Sequence, residues 1–431
     1  YKKPSAAILI SFMITRKEMQ LLMAIINKIN LKGSEGLIRK SRSTGSFLAL
    51  LLILGVLLIA SIANSATYIV SEKSDDYSIQ SAINKAVDGD RIIVKSGTYS
   101  ERINVTKRLI IRGVDTGNGL PVVNANGRRD VITLIADGIW LEGFLVINSG
   151  SASEDAGIKV LSSKNIVRGN ILNNNSYGLF LKNASYNEIK SNQALGNDVG
   201  IALQSSRNNT IVDNYAANNS FAGIFSGNSK NSIIRNNSVY GNSWVGLLFN
   251  NTENALIEEN TAFANANAGI WVRNSRYNQI KGNNASYNPI FGFILDRSFN
   301  NTFSMNTANG NLDGISMDLS HDNIILENNI SQNKFGVYLD GSDKNRIYLN
   351  NFIHNNINAY SYNSSNQWSS DKAFSYLYRG IISWNSMGNF WHDYQGDDAF
   401  DSGIGTSAYV YEFIRDEAPL ISMKDNYKIL K

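Results

Sequence analysis

The sequence predicts an all-β chain, a right-handed parallel β-helix of about ten or more coils with repeats of roughly 22–23 residues. Three observations predict it. The motif Gly-apolar-x-apolar occurs as Gly157-Ile158-Lys159-Val160, Gly178-Leu179-Phe180-Leu181 and Gly200-Ile201-Ala202-Leu203. It continues at Gly223, Gly246, Gly269, Gly292, Gly314 and Gly336, always 21 to 23 residues apart, with a degenerate copy at Ala359-Tyr360. Asparagines follow in two rows of the same period: Asn165, Asn187, Asn209, Asn231, Asn254, Asn278, Asn301, Asn323 and Asn345, then Asn170, Asn192, Asn214, Asn236, Asn260, Asn283, Asn306, Asn328 and Asn350. Within each copy the apolar residues alternate over runs of only three to five residues between Gly and Asn. That is too short for helices and right for strands.

Such coils stack at about 4.8 Å. Ile158/Val160, Leu179/Leu181, Ile201/Leu203, Leu247/Phe249, Ile270/Val272, Phe293/Leu295 and Val337/Leu339 then point inward. Asparagine suits the bends, because it tolerates left-handed backbone and its amide reaches the neighbouring coil. The asparagine rows are therefore read as ladder and turn residues and not as a catalytic row. Upstream, Tyr77 to Val87 has a short helix pattern suited to capping an open coil end. Arg91–Val94, Leu109–Arg112, Val131–Ile135 and Ile139–Ile147 read as the first strands.

The domain reading follows. Residues 1–46 form a basic extension outside the fold, with nine basic and two acidic residues and a second apolar stretch at Ala6–Ile14. Residues 47–66 carry the uncharged run Phe47 to Ala63, preceded by Arg39, Lys40 and Arg42 and followed by small residues. That order is read as a secretory signal or, uncleaved, as a membrane anchor. Residues 67–365 are the β-helix and 366–431 an irregular cap packing on it. From 67 onward 31 basic residues face 34 acidic ones, so no basic patch argues for nucleic acid. With no cysteine, disulfides and thiolate metal sites are excluded. Export places the protein outside the cell, at the surface. Sequons such as Asn104-Val-Thr, Asn183-Ala-Ser and Asn284-Ala-Ser fit a glycosylated surface protein.

The repeats over 157–360 and the opening stretch Ile79-Gln80-Ser81-Ala82-Ile83, Gly89-Asp90, Val94 and Gly97-Thr98-Tyr99 resemble the NosD-like family. So does the tail: Trp368, Gly388-Asn389-Phe390-Trp391-His392-Asp393-Tyr394, Gly403-Ile404-Gly405 and Asp425-Asn426-Tyr427. The resemblance covers nearly all of 67–427. It implies a right-handed β-helix, copper binding by the family's name, and kinship with carbohydrate-binding and sugar-hydrolysing β-helices and with archaeal surface proteins. The fold implied is specific and the activity is not. The tail departs from the family pattern at Ala399, Phe400 and Thr406, which weakens a calcium loop built from Asp397, Asp398 and Asp401.

Three sets of residues are candidates for chemistry. The histidines His321, His354 and His392 are too few and too scattered in the repeat for copper, so copper is not expected and no cofactor is required, with Ca2+ the remaining option. Asp296, Asp318 and Asp340 recur at intervals of 22 residues, four after the motif glycine, with Arg273 one coil earlier and Arg297 beside Asp296. Stacked, they form a candidate catalytic or calcium row, or else a solvated edge. Two after the glycine, where side chains face outward, come Phe180, Phe225, Leu248, Trp271, Ile294 and Tyr338. Such a stripe marks an interface: with the folded-back tail, with sugar rings (Phe180, Phe225, Trp271 and Tyr338 being the ligand-binding candidates), or with another protein of the envelope. The reading preferred on these grounds is a non-catalytic surface protein that binds or scaffolds, directed to a polysaccharide or glycan. The alternatives are a polysaccharide lyase, epimerase or glycoside hydrolase using the acidic ladder, and an envelope or adhesion scaffold.

Overall fold

A computed structural model describes residues 65–72 and 78–430. The basic extension and the run Phe47 to Ala63 lie outside the described residues. The chain winds as a right-handed parallel β-helix whose three sheets have 13, 12 and 13 strands. The first sheet runs from Thr67–Val70 to Arg346–Tyr348, and the second from Ile103–Val105 to Ile357–Tyr362. The third runs from Thr98–Tyr99 through Asn351–Ile353 to Phe390–Trp391. The second sheet carries the glycine motif, with six-residue strands against three-residue strands in the others. A helix, Ile79–Lys85, buries Ile79, Ala82 and Ile83 beside the first strands, and the Ser78 hydroxyl caps it by accepting from the Ser81 N–H. The stretch Ile139–Ile147 is two strands, Trp140–Glu142 and Leu145–Ile147, in different sheets. Gly143, at φ 79°, turns the chain between them.

The inward pairs read from the motif are all buried in one continuous core. Each coil contributes only a few apolar side chains, so burial alone does not fix how coils stack. Asparagine does. Asn187 donates its backbone N–H and its Nδ2 to Asn209 Oδ1 at 2.9 and 3.1 Å, and Nδ2 also donates to the Ser162 carbonyl at 3.1 Å. One buried amide thus satisfies backbone groups of the coil before, accepting from Asn165 N and donating to Ser162 O, and bonds the matching amide of the coil after. The second ladder runs without a break from Asn170 to Asn350. A third, from Asn175 to Asn355, closes the remaining bend.

The asparagine rows of the sequence reading are corrected at three positions. Asn231, Asn236 and Asn254 are not ladder residues. They are exposed, at φ 55°, 51° and 55°, and the buried slots belong to Ser232, Asn237 and Ala255. Ladder and left-handed turn are neighbouring positions, and the turn position is also taken by Tyr186, Met305 and His354.

The motif glycines are fixed by close approach. A Cβ on Gly269 would lie 2.7 Å from Asn288 Nδ2 and 2.8 Å from the Gly292 carbonyl oxygen of the next coil.

Residues 366–430 close the last coil. Phe390–Trp391 adds a parallel strand to Asn351–Ile353. The Trp391 ring lies between Phe352 and Tyr409 at 4.4 and 4.3 Å, nearly parallel to both. Asn389 occupies the ladder place after Asn350, 39 residues on in sequence, and Asp416 Oδ2 accepts from Asn389 N and Trp391 Nε1.

Candidate functional site

The outer face of the second sheet carries the outward residues. Strand pairing matches the residue before each glycine with its counterpart, then resumes one after the glycine: Val245 pairs Ala268 and Leu247 pairs Ile270. Both the residue before the glycine and the one two after it therefore reach this face. Tyr177 stacks on Phe180 at 4.7 Å, and two apolar clusters separate from the core form along it. The outward stripe is thus real, and the tail does not cover it. The tail sits on the end of the solenoid and around Leu349.

In the middle coils this face hollows into a groove of about 530 Å³. Tyr177, Phe221, Phe225, Trp244, Leu248 and Trp271 make its apolar surface, and Asp198, Asn250 and Arg273 supply polar groups. Trp244 packs against Phe221 at 4.7 Å and Trp271 at 5.1 Å. Among the groove residues the sequence reading missed, Phe221 and Trp244 stand two before their glycines. Their signal was present, since aromatics stand at the same offset in adjacent coils, but that offset precedes the strand and carries no period-2 cue. The Trp271 indole Nε1 is buried without a hydrogen-bond partner among the described residues.

Of the proposed ligand-binding residues, the structure gathers Phe225 and Trp271 in this groove and sets Phe180 at its upper edge. Tyr338 lies three coils below Trp271, stacked on Tyr360 at 5.3 Å. Arg273, Asp296, Asp318 and Asp340 stack in register on consecutive strands. Arg273 Nε lies 3.0 Å from Asp296 Oδ2, an ion pair without an aligned hydrogen bond, and Arg297 approaches Asp296 Oδ1 at 3.6 Å. Burial, then the Asp296 and Asp340 charges, hold the Asp318 carboxyl above its ordinary range.

Another carboxyl on this face escaped the sequence reading. Asp313, just before Gly314, is only 6% exposed, with Phe291 and Phe335 as its strand neighbours. Burial pushes it up to about 6, against the opposing effect of Lys334. Its neutral form is therefore favoured by folding. Stability falls as pH rises from about 4, where the unfolded carboxyl ionises, to about 6. Asp313→Asn is expected to flatten that decline and to be more stable than the parent above pH about 6, by at most ~3 kcal/mol. Urea midpoints across this window check it, and parallel profiles for the two proteins would reject it.

The proposed calcium trio is corrected. Asp398 spends both carboxylate oxygens on the N–H groups of Ser402 and Gly403, at 2.8 Å each. Asp397, Asp398 and Asp401 do not converge, and no group of three His, Cys, Asp or Glu that could hold a metal exists among the described residues. Among the described residues no helix is long and apolar enough to cross a membrane.

Two family models match these coils. One, described as periplasmic copper-binding protein (NosD), matches residues 197–310 and 222–396, and the other, right handed beta helix region, matches 126–247. The chain is a NosD-like right-handed β-helix. A cell surface glycoprotein of Methanothermus fervidus is similar, 35% identical over 105 residues, which is 23% of this chain and 17% of that protein. The match thus spans less than a fifth of that relative's length. Among solved structures, the A-module of Azotobacter vinelandii mannuronan C-5 epimerase AlgE6 superposes with TM-score 0.54 at 15% identity, over 67% of this chain and 92% of that one. The Dettilon tailspike protein superposes with TM-score 0.57 at 17% identity, over 73% and 70%. At these identities they show the shared fold.

This NosD-like chain does not offer a copper centre in its described residues. His321 lies flat on Phe299 and its Nδ1 accepts the Asp343 N–H at 3.0 Å. His354 and His392 do meet, with ring centroids 4.9 Å apart, a contact the sequence offsets did not foresee. The nearby Asp393 carboxylate is committed to Asn358 and Tyr409. Among the described residues no further His, Cys, Asp or Glu joins these two imidazoles in a group that could hold a metal ion.

Proposed function

We propose that this chain is an exported cell-surface β-helix that binds glycans without acting on them, using the aromatic groove of the second sheet. The observation that carries the reading is the groove itself: half-exposed aromatic rings on successive coils, with Asp198, Asn250 and Arg273 at hand for hydroxyl groups. Aromatic faces and a few convergent polar groups suit a ligand that is apolar on its ring faces and polar at its rim. The likeness to a cell surface glycoprotein supports the location. The neighbour named as a mannuronan C-5 epimerase supports a saccharide ligand on this fold. The non-catalytic part rests on Asp296, which two arginines hold, and on the lack of a histidine or an adjacent acid pair among the groove residues.

The test is a glycan array followed by calorimetry on the full chain. Trp271→Ala is expected to weaken the best glycan by about tenfold or more, because a central desolvated tryptophan dominates such contacts. Absence of any binding, or binding indifferent to both Trp244→Ala and Trp271→Ala, would overturn the reading. Turnover of the bound glycan would move the protein to the enzymes.

A further inference from the structure

Near the start of the solenoid a second hollow opens, on the first sheet and not on the second. Its volume is about 230 Å³. Its floor is Ile110, Trp140 and Ile166, in register on three consecutive strands and facing outward, while Ile111, Leu141 and Val167 fill the core. Two residues before each of them, where the chain bends into the sheet, come Arg108, Gly138 and Lys164. All three line the hollow, so a glycine leaves a gap between two cations.

Arg108 and Lys164 stand two coils apart, roughly 9–10 Å between backbones. Arg108 crosses part of that distance. A Cβ on Gly138 would lie 3.2 Å from Arg108 Cδ and 3.4 Å from its Cγ, so the arginine stem runs over the glycine that separates it from Lys164. Like charges brought together repel. Among the described residues neither the guanidinium nor the ammonium has an ion pair or a hydrogen bond, and no acidic residue lines the hollow. The carboxylates beside it in sequence are turned to the backbone: Asp88 Oδ1 accepts the Arg108 N–H at 3.0 Å, and Asp137 Oδ1 accepts the Ser163 N–H at 2.7 Å. Glu142 is taken by Arg112 and Arg168, at 3.1 and 2.6 Å. Trp140 is held in place, with its Nε1 donating to Glu142 Oε2 at 2.9 Å and the Arg168 guanidinium over its ring at 4.6 Å.

We infer that this hollow binds an acidic sugar, its carboxylate or sulfate held between the Arg108 guanidinium and the Lys164 ammonium and its ring against Trp140. Two unpaired cations astride a gap favour an oxyanion, which accepts charge-assisted hydrogen bonds from both. The apolar floor favours a ring behind the charge. The ligand carries a single anion there and is not a polyanion. Asp88 stands before Gly89 on one side, and on the other Glu188 follows Ile166 on the next strand, so acids bound the site in both directions. The site stands apart from the aromatic groove and does not depend on what the groove takes.

The experiment is calorimetry of the full chain at neutral pH and low salt, with glucuronate, glucose 6-sulfate, glucose and inorganic sulfate. At least one of the acidic sugars is expected to bind about tenfold or more tightly than glucose, and which one names the anion. The advantage is expected to shrink as salt rises. Inorganic sulfate is expected to bind more weakly than the preferred acidic sugar, since it leaves the Trp140 floor unused. Arg108→Gln and Lys164→Gln remove charge from exposed positions. Each is expected to lower the affinity for the acidic sugar about tenfold with unchanged melting. Acidic sugars bound no better than glucose, or bound as well by the double variant, would overturn the inference. So would inorganic sulfate that binds as tightly as the acidic sugar, since the ring would then contribute nothing. None of these results bears on the groove, which is tested by its own Trp244 and Trp271 variants.

Discussion

Asn283→Ala is expected to lower the unfolding free energy by about 3–4 kcal/mol, with the melting curve broadened as the coils on either side uncouple. Asn283 Oδ1 receives the backbone N–H and the Nδ2 of Asn260 at 3.0 and 2.9 Å. Its own Nδ2 donates to the Ile257 carbonyl at 2.8 Å and to Asn306 Oδ1 at 3.0 Å. Truncation strands donors and acceptors that are fully buried, each costing about 1–3 kcal/mol before relaxation. Asn236→Gly is the control. Asn236 is exposed in left-handed backbone, where glycine is unstrained, and the change is expected to stay within about 0.5 kcal/mol. Urea unfolding followed by far-UV circular dichroism separates the two. Equal losses would mean that the ladder does not hold the coils in register.

Trp391→Ala is expected to cost about 3–5 kcal/mol and to make the protein associate. The ring fills the end of the core between Phe352 and Tyr409, and its Nε1 donates to the Asp416 carboxylate at 2.9 Å. Removing it opens a cavity where the last coil meets the cap and leaves a buried acceptor short of a donor. Asp416 is fully buried, and desolvation pushes its carboxyl up to about 6 despite the donors around it. Trp391→Phe keeps both ring stacks and loses only the N–H, so it is expected to lose far less. Light scattering during thermal unfolding reads the association. A variant that melts like the parent, and scatters no more light, would show that the cap does not close the solenoid.

The coils were legible because their signal is local and repeated. Glycine, two inward apolar residues and a bend asparagine recur in a window shorter than one coil, and the inward side chains lie where the motif puts them. Asn231, Asn236 and Asn254 were misplaced by one residue for a physical reason. A buried slot and a left-handed turn sit side by side, both favour asparagine, and either can supply the letter. The spacing betrayed the slip, since the second row as first read steps by 22 and then 24 residues, and the first by 22, 23 and then 24, where the coils step by 23. The site was only half legible. Phe225, Trp271 and the aspartate row follow the coil period. Asp313 does not announce itself, because whether the residue before the glycine faces in or out depends on the backbone step there, and Phe221 and Trp244, two before their glycines, precede the strand and carry no period-2 cue. The tail was harder still. Asn389 joins a ladder across 39 residues of intervening chain, and no periodicity predicts such a return.

That return shows how much the architecture tolerates. The ladder asks of each new coil only one amide in the right slot, and the slot does not register how much chain was spent reaching it. Whole coils can therefore be duplicated or lost in the gene, each adding or removing about 4.8 Å of length, without rewiring what remains. Descendants of such a gene would differ first in the number of rungs on their outer face, and so in how long a face they present, well before they differ in how they fold.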